Sequence, residues 1–138
     1  MNRRDFLIAT ASTAALTPLA ARAEIVDYTP GLIEAALKDG KTLFVDYAAD
    51  WCGTCKRQER VINALRAAHP EYDAKLMFVR VDWDDFKNHD VTKSRGIPRR
   101  STLLVLKGDQ ELGRIVAGTS EADIKGLLDI GLAAATGA

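Results

Sequence analysis

Apolar positions along the chain follow two periods. Leu43-Phe44-Val45-Asp46-Tyr47-Ala48 is a short apolar run holding one carboxylate, the pattern of a strand buried on both faces. Residues 76–81 form a second such run. Between the two, Val61, Ile62, Leu65 and Ala68 share one helical face, which predicts a helix from about residue 53 to 68, closed by Pro70. Residues 32–38 also have helical spacing and are followed by the stop signal Asp39-Gly40. A weaker helix is expected over residues 84–93. Residues 102–106 and 112–117 read as strands joined by Lys107-Gly108-Asp109-Gln110, a hairpin signal. A closing helix follows from Ser120 to about Ala134, with Glu121 and Asp123 in its first turn. This order, βαβ then helix, hairpin and helix, predicts an α/β fold with a mixed central sheet flanked by helices.

Composition narrows the class. The chain has 138 residues, 47% of them apolar, enough for a single domain with its own core and too apolar for a disordered chain. Its 19 basic and 19 acidic side chains argue against a general nucleic-acid binder. Two cysteines cannot make the framework of a small disulfide-rich scaffold.

Residues 1–23 have the layout of an export signal: Arg3-Arg4 at the start, an apolar stretch from Phe6 to about Leu19, and Ala21-Arg22-Ala23 as a small-residue cleavage site. Cleavage after Ala23 leaves a domain of residues 24–138. The stretch is short for a membrane span, so no stable membrane insertion is expected after cleavage. Arg3-Arg4-Asp5-Phe6-Leu7 resembles the twin-arginine signal of bacteria, which carries folded proteins to the periplasm. Removing this segment takes away three arginines and one aspartate, leaving a mildly acidic body. In an oxidising compartment a cysteine pair persists as a disulfide.

That pair is Cys52-Gly53-Thr54-Cys55, placed where the first long strand meets its helix. Unpaired N–H groups and the dipole at a helix N-terminus favour a thiolate on the first cysteine. The second, one turn on, is placed to attack a mixed disulfide and release what the first has captured. As a mere staple the bridge would close a loop of about four residues, worth about 2 kcal/mol. As a closed zinc site the pair lacks about two ligands, and His69 and His89 do not have the spacing of a ligand pair. Two-coordinate copper(I) is the metal reading that suits two thiolates best.

The stretch Phe44-Val45-Asp46-Tyr47-Ala48-Ala49-Asp50-Trp51-Cys52-Gly53-Thr54-Cys55-Lys56 resembles the active-site segment of the thioredoxin family. It is nearest in character to exported thioredoxin-like proteins and to the thioredoxin-like domain of membrane thiol–disulfide interchange proteins. The likeness spans about residues 25 to 135. It implies a thioredoxin fold, disulfide exchange on protein substrates and no bound cofactor, with Cys52 attacking and Cys55 resolving. Asp46 aligns with the family's buried carboxylate, which would manage the Cys55 proton. Arg80 falls where many members place a lysine, either pairing with Asp46 or reaching solvent. Trp51, Ile97 and Pro98 are the candidate substrate contacts. Ile97-Pro98 is the preferred match to the family's cis-proline, with Ser101 as the alternative, because Arg99-Arg100-Ser101 intervene before the strand. That arginine pair would attract an acidic peptide. Thr54 replaces a frequent proline and leaves the direction of electron flow open, although C-G-x-C resembles the reducing members. An exported reductase implies a membrane electron donor, and a monomer is expected. The alternative is a copper(I)-handling or haem-protein assembly factor holding cargo on the same sulfurs.

Overall fold

The computed structural model describes residues 24–137. Residues 1–23, where an export signal is expected, lie outside them. The elements are β1 (Val26–Asp27), α1 (Leu32–Lys38), β2 (Thr42–Ala48), α2 (Gly53–Ala68), α3 (Pro70–Lys75), β3 (Met77–Asp82), α4 (Trp83–Phe86), α5 (Asp90–Lys93), β4 (Thr102–Lys107), β5 (Gln110–Val116) and α6 (Glu121–Thr136). They build one five-stranded sheet in the order β1-β3-β2-β4-β5. β3 runs parallel to both β1 and β2, whereas β4 is antiparallel to β2 and β5. The expected mixed sheet is therefore present, with β2 at its centre.

Alternation along the central strands divides the core in two. Val45, Tyr47, Val79, Val81, Leu104 and Leu106 pack on one face with Ile33 and Ala36 of α1. Phe44, Phe78, Leu103 and Val105 pack on the other with Ile62 and Leu65 of α2 and Ile124 and Leu127 of α6. A strand with apolar side chains on both faces has to lie inside such a sandwich, because either face exposed would leave apolar area in water. By the same alternation Asp46 shares the face of Phe44, beneath α2.

Three local features differ from the sequence expectation. Pro70 does not only end a helix. It occupies the first turn of α3, where a missing N–H costs nothing. The helix expected over residues 84–93 is two short ones, α4 and α5, separated at residues 87–89. Asp82 starts the first by accepting from the N–H groups of Asp84 and Asp85. β1 is only two residues long and carries no periodic signal.

Candidate active site

Cys52 is the N-cap of α2, and its Sγ accepts the N–H of Cys55 at 3.1 Å. The two cysteines are joined in a disulfide. Ala48, Ala49 and both cysteines form a small buried cluster against Trp83. The helix thus offers the first sulfur an N–H of its own first turn, at the end of the dipole that favours negative charge.

The residue facing the sulfurs from the other side is Ser101, not Pro98. Its Oγ lies 3.2 Å from Cys52 Sγ and 3.0 Å from Cys55 Sγ. No peptide bond is cis among the described residues, so the Ile97–Pro98 bond is trans. Pro98 is exposed, and Ile97 is buried in the core beside Tyr47 and Val91 rather than presented to a substrate. Strand register is the reason. Thr102 pairs with Tyr47, so the residue just before it is delivered to the end of β2, next to the cysteines. Register selects a position for this contact, and here that position holds a serine.

Ser101 is held tightly. Its φ is 63°, a left-handed conformation that costs a non-glycine residue about 1–2 kcal/mol. Its N–H donates to Tyr47 O at 2.7 Å, and its carbonyl accepts from Ala117 N at 2.8 Å and Gln58 Nε2 at 3.0 Å. Gln58 is fully buried and also donates to Gly118 O at 2.9 Å. This glutamine was not among the expected site residues. Its signal was a polar side chain on the apolar stripe Cys55, Gln58, Ile62 and Leu65.

Asp46 lies beneath the helix, where it and Cys55 line the same cavity of about 160 Å³ together with Lys56, Glu59 and Arg80. The residue is partly accessible, but its Oδ1 is occluded and has no hydrogen-bond partner. Burial pushes its pKa up to about 7; the Arg80 charge opposes the shift and Glu59 adds to it. Arg80 does not bond Asp46. Its guanidinium reaches Asp50 at 2.9 Å and Asp82 at 3.5 Å, which leaves burial as the dominant influence.

Trp51 is 59% exposed at the mouth of the site. Its Nε1 donates to the Asp84 carboxylate at 2.9 Å, and the Arg100 guanidinium lies 4.3 Å over its ring. The indole is pinned from two sides and forms a fixed wall. Arg99 turns away, donating to the Arg100 carbonyl. Among the described residues no cluster of three or more His, Cys, Asp or Glu is placed to hold a metal ion.

A cysteine pair at a helix N-terminus, backed by a protonatable acid, defines a thiol–disulfide oxidoreductase. Comparison with known proteins gives the family. The thioredoxin family model matches residues 25–129. Thioredoxin of Echinococcus granulosus is 34% identical over 96 residues, 70% of this chain and 83% of that protein. Thioredoxin H4-2 of Oryza sativa subsp. japonica is 31% identical over 100 residues, 70% of this chain and 71% of its own. The crystal structure of Trxlp from Edwardsiella tarda EIB202 superposes with a TM-score of 0.64 at 30% identity, covering 75% of this chain and 98% of that one. The chain belongs to the thioredoxin family.

Proposed function

We propose that this protein is exported to the periplasm and reduces disulfides of other proteins there, as a monomer recharged by a membrane electron donor. The observation that carries the exchange chemistry is Cys52 Sγ at the N-terminus of α2, accepting the Cys55 N–H. In the reduced protein the Cys52 thiolate attacks a substrate disulfide. A Cys52–substrate bond forms, the substrate S–S bond breaks, and one substrate thiolate leaves. The Cys55 thiol then gives its proton to Asp46 through the cavity they share, which has room for a water relay. The Cys55 thiolate attacks Cys52 Sγ, expelling the second substrate thiolate and closing the Cys52–Cys55 disulfide. Two electrons from the donor reopen it.

Export is supported by the sequence of residues 1–23, and the reducing direction by Gly53 between the cysteines. Trp51 and the edge of the Ser101 loop flank the sulfurs where a substrate strand would lie. The test is mechanism-based capture with the leader in place. The Cys55→Ser variant is expected in the periplasmic fraction, starting at Glu24 and carrying mixed disulfides through Cys52; Cys52→Ser should carry none. A protein retained in the cytoplasm with its leader uncut overturns export. Equal capture by both variants overturns the role of Cys52.

A further inference from the structure

Ser101 places a single hydroxyl between two sulfurs that carry negative charge at different moments of the reaction. Its Oγ is within hydrogen-bond distance of both, at 3.2 Å from Cys52 Sγ and 3.0 Å from Cys55 Sγ, and the residue is fully buried. Cys52 has a second donor in the Cys55 N–H. Among the described residues, Ser101 is the donor in place for Cys55 Sγ. Three hydrogen bonds hold the backbone of the serine, to Tyr47 O, from Ala117 N and from Gln58 Nε2. From the one observed position of Oγ, a turn of the hydroxyl hydrogen about the Cβ–Oγ bond reaches either sulfur.

We propose that Ser101 is a catalytic residue of the exchange reaction, whose hydroxyl follows the negative charge from Cys52 to Cys55 and stabilises each thiolate in turn. The proposal rests on the exchange reading given above and adds a residue to it. A serine hydroxyl has one hydrogen to donate. In the reduced protein that hydrogen points to the Cys52 thiolate. Once Cys52 is bonded to substrate its sulfur is neutral. Cys55 then loses its proton to Asp46, and the hydroxyl turns to the new thiolate. When the Cys52–Cys55 bond closes, neither sulfur is charged and the hydrogen bond is weak. The serine keeps its proton throughout, so the atom and electron balance of the exchange is unchanged. Because the bond is strong only to thiolates, it favours the reduced protein over the disulfide form.

A hydrogen bond to a charged group is strong enough to shift its titration by about one to two pH units. Replacing Ser101 by Ala should therefore move the pH midpoint of Cys52 alkylation upward by about one unit. The same substitution should slow, about tenfold, the expulsion of thionitrobenzoate by Cys55 from a preformed Cys52–thionitrobenzoate mixed disulfide. Ser101→Gly removes the hydroxyl while relieving the left-handed backbone, so it is expected to fold at least as well as the parent. If the hydroxyl acts as proposed, Ala and Gly give the same two shifts. Parent-like midpoints and expulsion rates in both variants would overturn the proposal, as would shifts in Ala that Gly does not share. Cys55→Ser capture tests the exchange reading separately, since it depends on Cys52 and not on the size of either shift.

Discussion

Asp46 carries two opposed demands. Its place on the inward face of β2 strips away much of its water, and its occluded Oδ1 has no compensating partner. The cost falls on the ionised form, so the folded protein holds the acid neutral up to about pH 7 while the unfolded chain releases the proton near 3.8. Between those values the native state binds the extra proton, and stability falls as pH rises through the window. Asp46→Asn keeps the shape without the charge. It should raise the unfolding free energy at about pH 8 by about 2–4 kcal/mol and change it little at about pH 4, read from urea denaturation of the oxidised protein. An equal gain at both pH values would show that burial of charge is not the cause. The acid and the cysteines were legible in the sequence: one carboxylate interrupts an apolar run, and the C-x-x-C spacing has few other uses. Ser101 was legible only as one of two candidates, because the contact depends on strand register and not on a residue type.

Helix α2 does two jobs for the site. Its first turn supplies the N–H that meets Cys52, and one turn further Gln58 reaches across to the loops that precede β4 and follow β5. The long periodic elements could be read from the sequence because burial imposes their period. Short pieces could not. β1 is too short to show a period, and α3 hides behind a proline that also serves as a stop signal. α4 and α5 are each only four residues long, too short for a helical period to show the break between them. Gln58 was passed over because a single polar residue in an apolar stripe names no partner by itself. Gln58→Ala removes two buried donors and leaves the Gly118 carbonyl without this one. It should lower stability by about 2–4 kcal/mol in urea denaturation, and a loss below about half a kcal/mol would contradict the clamp.

At the scale of the molecule, the sheet order β1-β3-β2-β4-β5 makes the site. The parallel pairing of β2 with β3 sets Arg80 in register with Asp46, and the antiparallel pairing of β2 with β4 brings Ser101 to the cysteines. The βαβ order in the sequence anticipates β3 as a parallel partner of β2, but alternation does not give the register of β4 on the other side, so Ser101 stood only as one of two candidates. The consequence of this assembly is a sulfur capped by a helix N-terminus, faced by a buried hydroxyl and backed by an acid. The most direct test is competitive alkylation of the fully reduced protein across pH, with each cysteine quantified by mass spectrometry. Cys52 should react first, with a midpoint well below the value of about 8.5 for an ordinary thiol. A midpoint at or above that value, or Cys55 reacting ahead of Cys52, would contradict the account.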